Sequence, residues 1–287
     1  MNKKNRMYMM VAIPALVLFF VFHTYPALQG VFYSFTDWKG YGTWNFVGLK
    51  NYLNVFQDER ALDAYIFTFK FAIISTIIVN VISMAIAIGL NSKIKFHKTL
   101  RAVYFLPYIL SILIVGFIFN FIFTHFLPDV GSGWGIEVLS RNILGDPDLA
   151  WIGIVIVAVW QAVAFNTILY LAGLVTISED LYEAASIDGA GMWTKFWKIT
   201  FPLIAPFFTI NMVLAMKGFL MVFDQIVALT GGGPGTSTES ISLLIYRGGF
   251  EGGQFAYQSA NAVIYFIVII VISVMQLRFL EKREVES

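Results

Sequence analysis

The side chains of this 287-residue chain that could bind a small molecule stand inside long apolar runs. In one run Gln161 and Phe165 are four residues apart, so a helix places them on one face, and Trp160 and Asn166 flank them. Polar groups buried without partners are costly, so such residues indicate either helix–helix hydrogen bonds or contacts with a ligand. Aromatic rings beside amides suit a sugar, whose C–H faces pack on rings and whose hydroxyls need hydrogen bonds.

Further candidates lie in two other apolar runs. Tyr108 and Ser111 are three residues apart, just after a proline. Lys217 is near the middle of its run, and Asp224 follows seven residues later, about 10 Å along a helix axis and too far for a direct pair. The candidate substrate-binding set is therefore Tyr108, Ser111, Trp160, Gln161, Phe165, Asn166, Lys217, Phe219 and Asp224.

Several kinds of chemistry are excluded or disfavoured by composition. The chain has no cysteine, and His23, His97 and His125 lie in different segments, so we expect no metal site. A net charge of +1 gives no reason to expect nucleic acid as a partner. The stretch "TGGGPGTST" lacks the Gly-Lys-Ser/Thr ending of a phosphate-binding loop, and we interpret it as a flexible turn. We therefore expect no cofactor on this chain.

The apolar runs predict membrane-spanning helices. The chain is 58% hydrophobic and 13% charged, which is too apolar for a soluble domain. A helix needs about 20 apolar residues to cross a bilayer, and backbone groups in lipid must be satisfied within the segment. We predict an all-α polytopic membrane protein, a single transmembrane domain over residues 1–287. Its predicted spans lie near residues 9–28, 64–90, 102–124, 151–175, 203–229 and 259–280.

The distribution of lysine and arginine predicts the orientation. The basic segments "MNKKNR", "NSKIKFHKTLR" and "RFLEKRE" all fall on one side of a six-span arrangement. Because positively charged loops stay inside, we expect both termini in the cytoplasm of a multi-pass membrane protein. Residues 176–202 then also face the cytoplasm.

The segment 176–202 is polar and long for a connection between two spans. Within "LYEAASIDGAGMWTKFWKITFPL", Asp180 and Glu183 are spaced to cap a first short helix, and Gly189 and Gly191 allow a bend. An amphipathic helix follows. A plain connector remains an alternative, but it would need only a few residues, so we predict a docking site for another protein.

The same segment resembles the EAA motif of bacterial ABC importer permeases of the maltose type, first-permease subunit. The matching positions begin at Glu183 and continue through Gly189 and Ile199 to Pro202; Phe201 stands where leucine is usual. The stretches "YFLPYILS" and "VFDQIVALTGGGPGTSTESISLLIYRGGFEGGQFAYQSA" are also similar, so the resemblance covers most of residues 8–280. The ATPase-coupling residues that it implies are Glu183, Ala184, Ala185, Asp188, Gly189 and Ala190.

The resemblance also implies partners and a location. It implies a coupling helix seated in an ATPase dimer that carries ATP and Mg, a second permease subunit, an extracellular or periplasmic substrate-binding protein, and a bacterial or archaeal cell (inner) membrane. Tyr108 matches a sugar-contacting position of the family. Phe219 and Val222 stand where the maltose permease has amides, so a sugar would be held differently here.

Other functions remain as alternatives. A stand-alone ion-coupled secondary transporter could use Lys217 and Asp224 as proton or ion sites, although no inverted repeat is evident. An ABC permease could carry a glycerophosphate-like solute instead of a sugar. An intramembrane enzyme is a weaker alternative, because no Ser-His-Asp or paired-carboxylate arrangement is visible.

Overall fold

The computed structural model describes residues 3–92, 97–137 and 139–282, and these are almost entirely helices and their connections. Within these ranges the only strand-like pairing is an isolated bridge between Thr36 and Phe46. In the described part of the chain, five helices are long and apolar enough to cross a membrane, and a bent pair of helices would make a sixth span. The predicted all-α polytopic fold is confirmed.

The helices follow one another with short connections, and π-helical turns continue several of them. Their bounds are α1 Lys3–Phe19, α2 Tyr25–Tyr33, α3 Lys50–Val55, α4 Glu59–Asn91, α5 His97–Ile109, α6 Ile112–Phe121, α7 Leu127–Trp134, α8 Ala150–Val175, α9 Glu179–Ile187, α10 Met192–Lys195, α11 Phe201–Leu203, α12 Ala205–Leu220, α13 Asp224–Leu229, α14 Ile241–Tyr246 and α15 Phe255–Glu281.

The chain divides into two compact units. The first comprises Met1–Asp63 with Leu244–Val268, and the second comprises Ala64–Leu243 with Ile269–Ser287. The grouping of residues 1–287 into one transmembrane domain stays a prediction.

Three predicted spans agree closely with helices, namely those near 64–90, 151–175 and 259–280, which correspond to α4, α8 and α15. The first apolar helix reaches further than predicted, over Ala12–Tyr33. Of the candidate spans, α8 has the largest buried share. It is therefore the central packing helix of the second unit, around which α5, α12 and α13 are arranged.

The predicted third span at 102–124 is wrong in its bounds. α5 ends at Ile109, Ser111 has an extended backbone with ψ 131°, and a new helix begins at Ile112. Pro107 lies inside α5 and cannot donate the amide hydrogen bond of a continuous helix, which weakens this end. The apolar span instead runs over Ile112–Trp134, from α6 through a π-helical turn into α7.

The predicted fifth span at 203–229 is also wrong as a continuous helix. Its start bends by 71° between Met192–Leu203 and Ala205–Leu220, where Pro206 in the first turn of α12 lacks an amide hydrogen. Residues 221–223 are not helical, and α13 then begins at Asp224. Lys217 and Asp224 therefore do not share a helix, contrary to our expectation.

The bend at Ile204 is packed into a core of the second unit. Ile204 is fully buried, and it clusters with the ends of α4 and α8. Nearby, Gly173 of α8 lets α12 approach, because a Cβ atom there would lie 2.6 Å from Cδ2 of Phe207. The cluster comprises Ala87, Leu90, Tyr170, Leu171, Leu174 and Ile204.

Candidate binding cavity and docking segment

A cavity of about 270 Å³ lies in the second unit, where α5 ends and where the chain breaks between α12 and α13. Two of the helix breaks that sequence reasoning missed, at Ser111 and at residues 221–223, therefore border it. Its walls are largely apolar, with a few polar groups that converge. The lining residues are Tyr108, Leu110, Ile112, Ala158, Gln161, Ala162, Phe165, Asn166, Leu214, Ala215, Gly218, Phe219, Val222 and Gln225.

An aromatic pair forms one side of the cavity. The rings of Tyr108 and Phe165 stack with their centroids 5.2 Å apart and an interplanar angle of 21°. Tyr108 is 50% exposed, because α5 ends one residue later and leaves one face of the ring open. The pair offers the flat, partly polar surface on which a sugar ring packs.

The amide side chains on α8 supply hydrogen-bond acceptors. Gln161 and Asn166 are both more than nine-tenths buried. The Asn166 amide nitrogen donates to the carbonyl of Ala162 at 2.8 Å, whereas Gln161 Oε1 and Asn166 Oδ1 have no hydrogen-bond partner among the described residues. A buried acceptor without a partner costs about 1–3 kcal/mol. Both oxygens are closed off from solvent, so a ligand that donates hydrogen bonds would recover that cost once these side chains turn toward the cavity.

A polar layer that sequence reasoning missed lies behind the cavity. Asn211 Nδ2 on α12 donates to the carbonyl of Asn166 at 3.3 Å. The Tyr170 hydroxyl on α8 donates to Asn80 Oδ1 on α4 at 2.5 Å. All four residues are buried, so these bonds hold the cavity helices in a fixed arrangement.

The structure brings part of the predicted binding set together and separates the rest. Tyr108, Gln161, Phe165, Asn166 and Phe219 line the cavity; Ser111, Trp160, Lys217 and Asp224 do not.

The residues outside the cavity have identifiable surroundings. The Trp160 ring packs against Phe119 at 5.2 Å. Lys217 is exposed in the last turn of α12, and Asp224 is exposed in the first turn of α13. The polar lining residue that we missed is Gln225. Its amide was visible in the sequence, but a continuous fifth span gave no reason to direct it to the cavity.

The glycine-rich stretch forms a turn with defined internal hydrogen bonds, and its flexibility stays a prediction. The Thr238 hydroxyl donates to the carbonyl of Gly233 at 2.7 Å, and the Thr230 and Thr238 hydroxyls are 2.8 Å apart. Gly231 and Gly232 have positive φ values, which only glycine adopts readily. The loop is thus held by its own hydrogen bonds.

Residues 176–202 form a bent pair of helical pieces, as the sequence predicts. The cap of α9 differs from expectation: Ser178, not Asp180, is the N-cap, and its hydroxyl accepts from the amide of Asp180. The helix ends where Gly189 takes φ +77°, and the amide of Ala190 donates to the carbonyl of Ala185 at 2.8 Å. This Schellman-type end needs a left-handed residue, which explains the glycine.

The two pieces of this segment are fixed to one another. The Tyr182 hydroxyl lies 2.8 Å from Oγ1 of Thr200, and Lys195 Nζ donates to Oγ of Ser186 at 2.6 Å. These side-chain bonds span the bend, so the segment is one rigid unit.

Large apolar side chains of the same segment are exposed to solvent. Ile187 is 87% exposed, Met192 is 87% exposed and Trp193 is 75% exposed. The motif residues Glu183 and Asp188 are also exposed. An apolar patch rimmed by polar residues marks an interaction site. We define residues 176–202 as the docking segment.

A polytopic helical chain with a cavity between its helices and a rigid docking segment is a membrane permease that works with another protein. The chain belongs to the family of binding-protein-dependent transport system inner membrane components, whose profile matches residues 80–285. The family is a transport component and not a catalytic enzyme. The resemblance to importer permeases is thereby confirmed.

Named relatives agree with this family. The chain is 42% identical over 272 residues to the multiple sugar-binding transport system permease protein MsmF of Streptococcus mutans, covering 94% of this chain and 93% of that protein. It is 37% identical over 284 residues to the probable starch degradation products transport system permease protein AmyD of Thermoanaerobacterium thermosulfurigenes, covering 99% and 97%.

A solved structure shares the fold. One chain of a bacterial ABC transporter involved in the import of the acidic polysaccharide alginate matches with a TM-score of 0.86, covering 98% of this chain and 96% of that one. At 23% sequence identity the likeness shows the fold alone.

Proposed function

We propose that this permease passes a sugar or oligosaccharide inward through the cell membrane, driven by ATP hydrolysis on separate subunits. The observation that carries the proposal is the cavity, in which the stacked Tyr108 and Phe165 rings lie beside unpartnered oxygens of Gln161 and Asn166. Ring faces and hydrogen-bond acceptors are what a polyhydroxylated solute requires. The sugar-related names of MsmF and AmyD point in the same direction.

The docking segment supports a partner of the ATPase class. Its exposed apolar side chains need a protein surface to cover them, and this chain offers no phosphate-binding loop. We infer an ATPase dimer that binds ATP and Mg and contacts Glu183, Gly189 and their neighbours. A second permease subunit and a substrate-binding protein complete the proposed importer, in which this chain binds no cofactor itself.

The orientation is part of the proposal. The basic segments support a cytoplasmic position of both termini and of the docking segment, in what we propose to be a bacterial or archaeal inner membrane. ATP is available on that side. The substrate-binding protein would then act at the opposite face.

The composition of the cavity wall favours a neutral solute over a glycerophosphate-like one. Among the described residues, its lining contains no lysine or arginine, and a phosphate buried without a cationic partner or dense donors is unfavourable. Lys217 and Asp224 are both exposed outside the lining. They therefore give the ion-coupled alternative no buried charged site in the cavity.

The test is uptake by the reconstituted importer carrying Gln161→Leu or Asn166→Leu. Each variant removes a hydrogen-bond acceptor whose bond to the solute is worth about 0.5–1.5 kcal/mol. We therefore expect the solute concentration for half-maximal uptake to rise by roughly 2- to 10-fold. Trp160→Phe, next to Gln161 but outside the cavity, is the control and should transport like wild type. Uptake at wild-type level by both amide variants would contradict the assignment of the cavity as the sugar path.

A further inference from the structure

The short helix α3 and its two flanking residues have an exposed apolar side. Leu49 is 63% exposed, Leu53 is 63% exposed and Phe56 is 64% exposed. They follow one another at spacings of four and three residues, so they lie on one side of the helix. We call these three residues the apolar strip. The buried residues of α3 are Asn51 and Val55, so the apolar strip is not the side that packs on the rest of the first unit.

A polar strip runs beside the apolar strip. Lys50, Asn54 and Gln57 are exposed, and they repeat the same spacings one residue further along the chain. Successive residues of a helix are about 100° apart around its axis, so the two strips lie side by side and do not overlap. An apolar side next to a polar side is the pattern of a helix that lies in the surface of a membrane.

Hydrogen bonds fasten α3 to the end of the first span. The Asn51 side-chain amide donates to the carbonyls of Ser34 and Thr36 at 2.8 and 2.7 Å. The Tyr52 hydroxyl lies 2.6 Å from Oγ of Ser34. The apolar span runs over Ala12–Tyr33, so Ser34 is the first residue after it. The helix α3 therefore lies at the level where the first span leaves the hydrocarbon.

The start of the second span gives the same level. The helix α4 begins at Glu59. Asp58 Oδ1 caps it by accepting from the amides of Arg60 and Ala61 at 3.0 and 3.3 Å. Three charged residues in succession would be costly inside hydrocarbon. Both ends of α3 are thus held at the membrane surface.

Aromatic side chains of the connection before α3 lie at this level too. The Trp44 ring meets Phe32 edge-on with centroids 5.4 Å apart. Phe32 belongs to the first span and is 50% exposed, so Trp44 packs against an open side of that span. Tyr41 and Trp44 are themselves exposed. Since tryptophan and tyrosine are enriched where a membrane meets water, their position is that of an aromatic belt.

We propose that α3 is an interfacial anchor, with its apolar strip immersed in lipid and its polar strip among headgroups and water. The edge of a bilayer supplies hydrocarbon to one side of a helix and water to the next, which is what the two strips require. The Lys50 ammonium can remain in water while its methylene groups follow the apolar side. The anchor fixes the depth at which the first span ends. This inference is independent of the solute that the importer carries.

The experiment uses the absence of cysteine from this chain. Single cysteines are introduced into the complete importer, whose other subunits are made free of cysteine, and each is labelled with a nitroxide in nanodiscs. The measured quantities are the collision rates of the label with oxygen, which concentrates in lipid, and with a water-soluble nickel chelate. Labels at Leu53→Cys and Phe56→Cys should collide more often with oxygen than with nickel, at a depth of about 5–10 Å.

The matched controls are Asn54→Cys and Gln57→Cys, each one residue away from a test position. At these positions nickel should collide more often than oxygen, so the ratio reverses between neighbours. All four side chains are exposed, so the labels displace no core residue. More nickel than oxygen collisions at Leu53→Cys and Phe56→Cys would put the apolar strip in water and overturn the inference. Few collisions with both reagents would mean that another protein, such as a second permease subunit, covers the strip, and the inference would be wrong as well.

A second measurement uses Trp44 and needs no label. Lipids brominated in the upper part of their acyl chains quench the fluorescence of tryptophans that touch them, so Trp44→Phe should reduce the quenchable fluorescence of the importer. The control is Trp38→Phe, because the Trp38 ring is covered by Tyr33, with centroids 4.1 Å apart, and by Phe255 at 5.0 Å. It should leave quenching unchanged. Equal quenching of the wild type and Trp44→Phe would remove this connection from the interface, and the inference with it.

Discussion

Replacing Gly189 with valine tests how much the backbone conformation of this one residue contributes to docking of the ATPase on the permease. Gly189 has φ +77°, and a Cβ atom built there would meet nothing within 4 Å. The added Cβ atom therefore meets no neighbour, and the main cost is the left-handed conformation, about 1–2 kcal/mol for a residue with a side chain. Either the segment keeps this strain or the bond from Ala190 to Ala185 is lost and the bend opens.

The expected result is weaker docking of the ATPase. An energy of about 1–2 kcal/mol corresponds to a factor of roughly 5–30 in an equilibrium constant. We expect the ATPase concentration needed for half-maximal pull-down by the permease to rise by that factor for Gly189→Val. Substrate recognition should not change, because Gly189 lies outside the cavity lining.

The matched controls separate the angle from the side chain. Gly189→Asn should behave close to wild type, because asparagine tolerates the left-handed region. Gly191→Ser adds a side chain two residues away, where φ is −73° and the space is open, and serine is favoured at this N-cap position. Pull-down that is equal for wild type, Gly189→Val and both controls would refute the reasoning.

The remaining predictions concern mechanism and orientation. Lys217→Met should retain uptake by the reconstituted importer at several pH values, because Lys217 is exposed and does not line the cavity. Loss of uptake with ATP hydrolysis intact, together with collapse of wild-type uptake when the proton gradient is removed, would favour the ion-coupled alternative. A phosphatase that is active only outside the cytoplasm should be inactive when fused after Ser287, and high activity there would overturn the predicted topology.

Element positions followed from the sequence where apolar residues run without interruption between polar flanks. α8 was predicted to within one residue for this reason, since no charged residue and no proline interrupts the stretch from Ala150 to Val175. The same logic failed where backbone conformation changes inside an apolar stretch. Ser111 is extended and residues 221–223 leave the helix, and hydropathy does not distinguish such breaks from continuous spans.

The residues of the candidate site were also predictable only where they lie within one continuous helix. Gln161 and Phe165 could be placed together because helical spacing within one element is regular. The position of Gln225 in the cavity lining could not be predicted, because it depends on the break in the helix before α13. Lys217 and Asp224 drew attention as charges in an apolar run, yet they lie on separate helices and are exposed outside the cavity lining.

The buried position of Ile204 has a mechanical consequence. The 71° bend at this residue joins the docking segment to α12, and Ile204 is fully enclosed by the ends of α4 and α8. A close-packed interior resists compression and transmits strain, so this joint is stiff and cannot absorb a displacement as a free hinge would. A push on the docking segment is therefore delivered as a concerted shift of three helices. A displacement of the docking segment by the proposed ATPase would therefore be transmitted with little loss to the helices around the solute path.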